Sequence, residues 1–335
     1  MHYKLLLTKC ADCVSIYWVR SMHEGFIYSL DNKRYHTLNY HLKKTFGRKI
    51  YKAVIDGGFT CPNIDGTKGR GGCIFCDGGS GYFTHPGMSV TQQLETEYRR
   101  ISAKYGEVPV TAYFQANTNT YAPVERLHEL YFQAINFPHT VGLSIGTRAD
   151  CISDEVLELL KDINKMTYLT VELGMQTVHE KSISAINRCC TNEEFLTGCE
   201  RLKSNNIRVC LHIINGLPGE TAHMMTETAR QAADLRPDAV KIQMLHIIRG
   251  TALAERYNRS PFHLLTMEEY IDTVIRQLEV LPPETVIERI TGDGDRKKLI
   301  APLWTANKIA VLGAIDKRMK ELDTHQGKRL TMHNA

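Results

Sequence analysis

The chain has 335 residues, of which 43% are hydrophobic and 23% are charged, a composition typical of an ordinary globular protein. Its 41 lysines and arginines exceed its 37 aspartates and glutamates by four, which is compatible with a nucleic-acid partner but does not indicate one. No apolar run approaches the roughly 20 residues that a membrane-spanning helix needs, so we expect no membrane span.

Residues 1–23 are predicted to be an extension that precedes the core. Their short apolar patch is too brief for a signal peptide, and no small-residue cleavage site follows it. We therefore expect a cytoplasmic protein, in which cysteines stay reduced. Cys10 and Cys13 form a C-x-x-C pair that could be half of a zinc site, although no second half lies nearby. In an alternative interpretation Met22 is the true start and residues 1–21 are dispensable.

From residue 51 onward, runs rich in β-branched residues alternate with segments of helical periodicity. Six strands are predicted, at residues 51–56, 109–116, 140–146, 167–175, 207–216 and 239–248. Helices are predicted between them, at residues 89–105, 124–135, 153–163, 192–205 and 220–235. This alternation indicates β–α units around a parallel sheet, and six units favour a partial (β/α)6 TIM-like barrel over a closed barrel of eight. In such barrels the chemistry lies on the loops that follow the carboxyl ends of the strands.

After residue 250 the pattern loosens, and a small C-terminal α/β appendage is predicted. A helix at residues 266–281 is followed by two prolines, then by a strand at 284–292 and a terminal helix at 301–322. We therefore divide the chain into the extension, a core at residues 24–281 and the appendage at residues 282–335.

Three of the ten cysteines lie in one loop at residues 59–83, with the spacing C-x11-C-x2-C: Cys61, Cys73 and Cys76. A structural zinc site needs four ligands, whereas three thiolates can bind three irons of a [4Fe–4S] cluster and leave the fourth iron open. Glycines allow positive φ and close backbone approach. Six of the glycines in the loop would let it wrap a cluster: Gly66, Gly69, Gly71, Gly72, Gly78 and Gly79.

This loop resembles that of the radical S-adenosylmethionine (SAM) superfamily. The usual spacing there is C-x3-C-x2-C with an aromatic residue before the last cysteine, as Phe75 precedes Cys76 here. The longer first gap resembles that of the Elongator catalytic subunit. The amino-acid sequence of the loop is most similar to that of the YhcC-type subgroup of Elongator-like proteins. The resemblance, which covers residues 24–325, implies a [4Fe–4S] cluster on the three cysteines.

The same resemblance implies the reaction. The cluster would cleave SAM reductively, and the resulting 5′-deoxyadenosyl radical would abstract hydrogen from a substrate. A one-electron donor of the flavodoxin or ferredoxin type would be a partner. The cofactor would supply the difficult chemistry, while the barrel positions it and excludes water.

Other segments are similar to parts of the family's SAM site. Residues 113–123 lie where the family usually has a Gly-Gly-Glu segment that contacts the methionine amine; the glycines are absent, so Gln115 and Asn117 are the candidates. Residues 146–152 resemble a T-R-P-D segment in which Ala149 replaces the proline.

Gln176 and Arg188 lie twelve residues apart, as do a glutamine and an arginine near SAM in the radical SAM coproporphyrinogen oxidases. Residues 211–221 resemble the fifth-strand segment that lies against adenine, and residues 241–251 the sixth-strand segment that precedes Gly-Thr. The resemblance therefore implies a SAM site formed by Gln115, Asn117, Arg148, Asp150, Glu172, Gln176, Arg188, His212, Ile214 and Gly216.

The chemistry of SAM agrees with these residue types. Its carboxylate suits a bidentate guanidinium such as Arg188 or Arg148. Its amine and ribose need acceptors such as Gln176, Glu172 or Asp150. Its adenine needs a flat apolar strand, which the fifth strand supplies.

Each of these groups also has a structural alternative. Glu172 and Gln176 could be buried polar groups that serve the sheet, Arg148 and Asp150 could pair with each other to fix a loop, and Arg188 could be a surface residue of a helix.

The remaining cysteines and the last strand offer fewer signals. Cys199 and Cys210 are predicted to be small buried apolar residues. The pair at residues 189–190 is a candidate for a second cluster or a substrate thiol. Lys241 and His246 are the candidate catalytic residues, placed on one face of the last strand.

Basic segments bear on the partner. Residues 41–49, 295–298 and 316–320 could flank the barrel mouth and bind a phosphate backbone, although solvated helix faces look the same. Lys68 and Arg70 could meet a substrate phosphate.

Elongator-like relatives act on the 5-side-chain of the wobble uridine in tRNA, so side-chain modification of tRNA is the leading hypothesis. No acetyltransferase domain is recognisable, and acetyl transfer is not expected. The alternatives are a radical SAM enzyme for a small porphyrin-like or other metabolite and a non-catalytic, zinc-stapled RNA-binding protein.

Overall fold

The structure is a computed structural model that describes residues 33–77, 84–85 and 87–330. The predicted extension with Cys10 and Cys13, and the loop residues Gly78 and Gly79, lie outside the described residues.

Seven strands form one parallel sheet in the order β1-β2-β3-β4-β5-β6-β8, and β7 pairs with β9 in a separate antiparallel ribbon. The strands are β1 (Tyr51–Ile55), β2 (Val110–Phe114), β3 (Thr140–Thr147), β4 (Tyr168–Gln176), β5 (Arg208–Asn215), β6 (Ala239–Met244), β7 (Ile247–Ile248), β8 (Val286–Arg289) and β9 (Leu299–Ala301).

The α-helices cover the outside of the sheet and connect its strands. They are α1 (Leu38–Phe46), α2 (Val90–Tyr105), α3 (Val124–Ile135), α4 (Asp154–Met166), α5 (Glu180–Ala185), α6 (Asn192–Ser204), α7 (Ala222–Asp234), α8 (Ala252–Arg259), α9 (Met267–Val280) and α10 (Lys308–Glu321). Within the part of the chain that the structure describes, none of them combines the length and the apolar character that crossing a membrane requires.

Local sequence explains where these elements begin. Ser89, Thr191 and Thr266 each accept a backbone N–H bond at the start of a helix, and the third residue inward returns a side-chain bond, so each helix begins with a capping box. The central strands are apolar on the face that the helices cover, whereas their inner face carries polar and charged side chains. Val171 and Leu211, for example, are fully buried.

The predicted partial barrel is confirmed, and all six predicted strands are present. One of them differs in extent: the strand predicted at 239–248 ends at Met244, and the chain then turns to form β7. Three helices were not predicted, α1, α5 and α8; α5 has only six residues, too few for a helical period to be read.

The main sheet also has a seventh strand. β8 comes from the segment assigned to the appendage, but it pairs in parallel with β6. The helix α9 supplies the crossover that parallel pairing requires. The main sheet therefore includes a strand from the segment after residue 281. The division of the chain into domains stays a prediction.

Four charged side chains from four strands meet on the inner side of the sheet: Lys52, Glu172, Lys241 and Glu288. Lys52 Nζ lies 2.9 Å from Glu172 Oε1 and 2.7 Å from Glu288 Oε2. Lys241 Nζ donates to Glu172 Oε2 and lies 3.6 Å from Glu288 Oε2. We call these four residues the buried charge cluster; two ammonium groups and two carboxylates balance within it.

The cluster keeps its members charged. Burial alone would raise the pKa of Glu172, but the ammonium groups of Lys241 and Lys52 hold it well below its usual range. Burial alone would lower the pKa of Lys241, but Glu172 and Glu288 raise it. Because the pKa of Glu172 is lower in the folded state, its contribution to stability is present at neutral pH and is lost as the pH falls.

We expect Glu172→Gln to lower the free energy of unfolding by about 3–5 kcal/mol, because two buried ammonium groups would share the one remaining carboxylate of Glu288. Urea unfolding at neutral pH measures this change. The matched control is Glu95→Gln, which removes an exposed carboxylate 3.8 Å from Arg99. It should change stability by less than about 1 kcal/mol. An equal effect of the two substitutions would contradict the role of the cluster.

Candidate active site

A cavity of about 320 Å³ opens at the carboxyl ends of the strands, and the cysteine loop forms one of its walls. Cys61, Cys73 and Cys76 all line it, and none of them forms a disulfide. This loop follows β1, and the carboxyl ends of β2 to β6 and β8 with their loops supply the other walls. The structure thus brings the three predicted ligands to the place where a barrel enzyme carries its chemistry.

Asn63 anchors the cysteine loop to the segment that follows α5. Its fully buried side chain donates from Nδ2 to the Asn187 carbonyl at 2.5 Å, and this nitrogen also lies 3.8 Å from Cys73 Sγ. Asn187 Nδ2 returns bonds to the carbonyls of Arg70 and Gly72 at 3.1 and 2.8 Å. Two asparagines therefore join the loop to its neighbour.

The glycines of the loop permit this contact. Gly66, Gly71 and Gly72 have positive φ. Gly69 is needed for space instead: a Cβ there would lie 2.2 Å from Asn63 Oδ1 and 2.7 Å from Cys189 Sγ. The long first gap between the cysteines is thus a largely exposed segment that Asn63 and Gly69 hold in place.

Burial, followed by the charge of the neighbouring Cys76, raises the pKa of the Cys73 thiol to about 12. A metal ion would displace this proton, since metal binding and thiol deprotonation are coupled. Three soft sulfur donors on one wall suit an iron–sulfur cluster; among the described residues these thiols do not all lie within 4.8 Å of one another, which is too wide for one zinc ion.

Three amide side chains lie on the walls beside the thiols. Gln115 and Asn117 line the cavity, and Asn117 Nδ2 donates to the Phe59 carbonyl at 2.8 Å. Gln176 ends β4 with a positive φ of 57°, and its amide lies against Gly174, where a Cβ would be 2.2 Å from Nε2. Its Oε1 is buried and has no hydrogen-bond partner among the described residues, so an amino group of a ligand would satisfy it.

Arg148 and Asp150 pair with each other, as the structural alternative proposed. The guanidinium donates to both Asp150 oxygens at 2.9 and 2.8 Å and to the carbonyls of Arg188 and Cys189 at 2.8 and 2.7 Å. Asp150 also accepts from Lys68, at 2.7 Å. Arg148 lines the cavity, whereas Asp150 is not among the lining residues.

Arg188 is buried and lines the cavity, not the surface of a helix. Its guanidinium donates to the carbonyls of Cys190 and Met175 at 2.8 and 2.6 Å and to Asn192 Oδ1 at 3.1 Å. Most of its donors are therefore taken by protein oxygens, and little remains for a bidentate bond to a carboxylate.

Glu172 and His212 begin a chain of hydrogen bonds across the cavity floor. His212 Nε2 lies 2.9 Å from Glu172 Oε2, and its Nδ1 lies 3.2 Å from Gln243 Nε2. Because the amide nitrogen of Gln243 can only donate, His212 accepts at Nδ1 and carries its proton on Nε2. Burial and the charge of Lys241 lower the pKa of His212, which keeps the ring neutral. Gln243 Oε1 in turn accepts from Arg289 at 3.1 Å. We call these four hydrogen-bonded residues, Glu172, His212, Gln243 and Arg289, the floor chain.

Two of the three residues that the sequence assigned to SAM on or after the fifth strand line this cavity, and the third does not. His212 and Ile214 alternate onto the cavity wall. Gly216 lines a different cavity, of about 530 Å³, between the turn after β5 and α9. β5 has already ended at Asn215, and with it the alternation that pointed residues inward.

The placement of Lys241 and His246 on one face of the last strand is wrong. β6 ends at Met244, and residues five apart point to opposite faces of a strand in any case. Lys241 is buried in the charge cluster, while His246 lies beyond the strand on the cavity wall, packed against Gly292 and Gly294.

The three basic segments do not share one face. In α1, within residues 41–49, His41 Nε2 lies 2.7 Å from the hydroxyl of Tyr168, the first residue of β4, so this segment lies at the opposite end of the sheet from the cavity. Residues 295–298 do flank the cavity: Asp295 lines it, and Lys298 lies 3.6 Å from Asp77, next to Cys76. The segment at 316–320 lies on α10, where Arg318 pairs with Asp272 of α9.

Sequence reasoning missed Asn63, Tyr113, Gln243 and Arg289. Tyr113 lines the cavity with its ring centroid 4.5 Å from Lys241 Nζ. Gln243 could have been found from the sequence, because it lies two residues after Lys241 and therefore on the same side of the strand. The position of Arg289 in the cavity could not be predicted, because only the strand pairing shows that β8 joins the main sheet.

Comparisons with known proteins agree with this geometry. A sequence model of the radical SAM superfamily matches residues 65–232, and a model of the radical SAM C-terminal domain matches residues 237–321. The chain is 46% identical to protein YtqA of Bacillus subtilis over 90% of its own length and 95% of that protein. It is 34% identical to protein YhcC of Escherichia coli, over 84% of this chain and 90% of that one.

Two further proteins are more distant. The tRNA uridine(34) acetyltransferase of Methanocaldococcus jannaschii is 30% identical over 46% of this chain and 28% of its own. The solved structure of the Elp3 protein of Methanocaldococcus infernus, which lacks its N-terminal residues 1–46, superimposes with a TM-score of 0.62 at 18% identity, covering 83% of this chain and 64% of that one.

The superfamily model spans half of the chain, and YtqA and YhcC align with most of it. The chain therefore belongs to the radical SAM superfamily, in its Elongator-like branch with YhcC, and is an enzyme that uses a [4Fe–4S] cluster and SAM.

Proposed function

We propose that this enzyme modifies the side chain of a uridine at the wobble position of tRNA, with Cys61, Cys73 and Cys76 as the cluster ligands. The observation that carries the chemistry is the convergence of these three thiols on one wall of a cavity with polar walls. When bound, the cluster and SAM supply reductive cleavage of SAM and abstraction of a hydrogen atom from the substrate.

The residues of this chain would hold and orient SAM. Gln176 Oε1, which lacks a partner among the described residues, suits the amino group of the methionine part. Gln115, Asn117 and the remaining N–H of Arg188 suit its carboxylate and ribose, and Ile214 offers an apolar surface to adenine. Arg148 would act indirectly, since it fixes the backbone of residues 188–189.

A basic rim on one side of the cavity supports a tRNA substrate. We define the basic rim as four exposed residues: Arg249, Arg296, Lys297 and Lys298. The backbone N–H of Arg249 donates to the Lys298 carbonyl at 2.8 Å, which places Arg249 beside the other three. Lys298 reaches Asp77 beside the cysteine loop. Cationic side chains at this place would bind phosphates while the base enters the cavity. The name of the archaeal tRNA uridine(34) acetyltransferase relative favours the same substrate.

Lys68 does not support the predicted phosphate contact, because it is held by Asp150 and Glu194 at 2.7 and 2.8 Å. Arg70 is exposed and makes no ion pair with a described residue, and it stays a candidate.

The substitution Cys76→Ala tests the cluster. After anaerobic reconstitution, we expect the wild-type protein to hold about four irons per chain and to cleave SAM to 5′-deoxyadenosine, and the variant to lose most of the iron and this activity. Iron and sulfide analysis and chromatography of the nucleoside products measure both. Cys199→Ala, in the buried face of α6, is the matched control and should keep its iron. A wild-type protein that is colourless and loaded with zinc would contradict the proposal.

Gly69→Ala tests whether the long gap positions the cysteines. The added Cβ would displace Asn63, which joins the loop to Asn187, so we expect a lower iron content and slower reconstitution. Gly313→Ala is the matched control: it lies in α10, a Cβ there meets nothing within 4 Å, and alanine favours the helix by up to about 1 kcal/mol. If both variants hold iron like the wild type, the gap is not part of the cluster scaffold.

Lys297→Gln tests the basic rim, with Lys43→Gln as its control at the other end of the sheet. Loss of one phosphate contact should reduce the slope of log K against log salt for tRNA binding by about 0.7–0.9 in the first variant and leave it unchanged in the second. Filter binding over a salt series measures these slopes. Equal slopes in both variants would remove the rim from the interface.

The substrate itself is tested in a deletion strain. Loss or accumulation of a modified uridine in the tRNA nucleoside profile would agree with the proposal. An unchanged profile would remove tRNA as the substrate and favour a small metabolite.

A further inference from the structure

Arg289 is a cationic residue of the cavity wall that the SAM site does not use. It ends β8, the last strand of the sheet, and its side chain lines the cavity. One guanidinium nitrogen donates to Asp293 Oδ2 at 2.5 Å and another to Gln243 Oε1 at 3.1 Å. Its Nε is buried and lacks a hydrogen-bond partner among the described residues. A buried N–H without a partner is costly, so a ligand acceptor at this place would be stabilising.

The floor chain holds Arg289 in position. Gln243 is fixed by His212, which is fixed by Glu172 of the buried charge cluster. A guanidinium that is already oriented loses little conformational entropy when it binds an anion.

The charges around Arg289 are unequal. Asp293 is shared between Arg289 and Lys308, so two cations face one carboxylate. The other nearby carboxylate, Asp295, accepts from the backbone N–H of Lys297 at 2.9 Å. Burial, followed by the charges of Lys308 and Arg289, lowers the pKa of His246 to about 4, so this ring stays neutral and adds no charge.

Lys308 makes the pair between Arg289 and Asp293 replaceable. If Arg289 turns to a ligand, Asp293 keeps the ammonium group of Lys308 as its partner and is not left unpaired. The exchange therefore avoids the large cost of an uncompensated carboxylate.

We infer that Arg289 binds an anionic group of the substrate, a phosphate or a carboxylate, inside the cavity. This inference deepens the proposed function, since it assigns the specificity of the same site to one residue. A phosphate would come from a nucleotide, and a carboxylate would come from a side chain or a free acid; the guanidinium fork suits both.

Binding of three probes to the reconstituted, SAM-loaded protein tests the inference: uridine 5′-monophosphate, uridine and glutarate. Isothermal titration should show that at least one of the two anions binds the wild type and that Arg289→Gln weakens its binding about 10- to 100-fold, the value of a charged hydrogen bond. Arg230→Gln, an exposed arginine of α7, is the matched control and should bind like the wild type.

The probes also separate the two sources of the anion. Binding of uridine 5′-monophosphate that exceeds that of uridine identifies a nucleotide phosphate, and binding of glutarate identifies a carboxylate. The inference is overturned if neither anion binds the wild type, or if both bind Arg289→Gln as tightly as the wild type. It is also overturned if Arg289→Gln weakens SAM binding and leaves the anions unaffected, because Arg289 would then belong to the SAM site.

Asp293→Asn gives an effect of the opposite sign. Loss of the carboxylate leaves Arg289 without its competing partner, so the anion that binds the wild type should bind this variant several-fold more tightly. A purely structural role of the Arg289–Asp293 pair predicts weaker binding instead and would overturn the inference. Failure of the tRNA hypothesis is seen separately, as an unchanged nucleoside profile together with glutarate binding that depends on Arg289.

Discussion

The buried charge cluster is the constraint on which the site depends. Two ammonium groups and two carboxylates from β1, β4, β6 and β8 lie on the inner side of a sheet whose helix-covered side is apolar. Charges in such surroundings are tolerated only when each has partners, and each member of the cluster has at least two. The cluster thereby links the first, the central and the last strands of an open sheet. It also presents one side, through Glu172, to the cavity.

A different principle holds the cysteine wall. The loop is attached to the segment after α5 through amides and carbonyls, with Asn63 and Asn187 at the centre, and Lys68 of the loop adds ion pairs to Asp150 and Glu194. Arg148 and Arg188 serve the same segment, because their guanidinium groups bind the carbonyls of residues 175 and 188–190. Residues that resemble SAM ligands in sequence are thus also the residues that shape the cysteine wall.

Much of this arrangement was predictable. Strand and helix alternation is a local signal, and the partial barrel follows from it because parallel strands need crossover helices. The three thiols share one loop, so their convergence needed no tertiary information. Gln176 and Arg188 could be placed because each follows a predicted strand or its loop.

What could not be predicted depends on pairing between distant segments. In the sequence β8 looks like part of an appendage, and only its bonds to β6 show that it belongs to the main sheet. The same bonds bring Glu288 to the buried charge cluster and Arg289 to the cavity. The partners of Lys241 lie on three other strands, so its place in the buried charge cluster could not be read from the sequence. The segment at 41–49 carries the expected charge, but its side of the sheet is set by the contact between His41 and Tyr168.

The two kinds of arginine in the cavity follow from these two ways of building its walls. Arg148 and Arg188 lie where backbone carbonyls turn inward, and those carbonyls occupy their donors. Arg289 lies where a strand ends beside side chains, and its partners are an amide and a carboxylate that Lys308 shares. A side-chain partner can be exchanged at lower cost than a carbonyl that is fixed by the fold. Recognition of the substrate is therefore expected on the β8 side of the cavity, while the cysteine wall, whose polar groups already serve the loop, holds the cofactor.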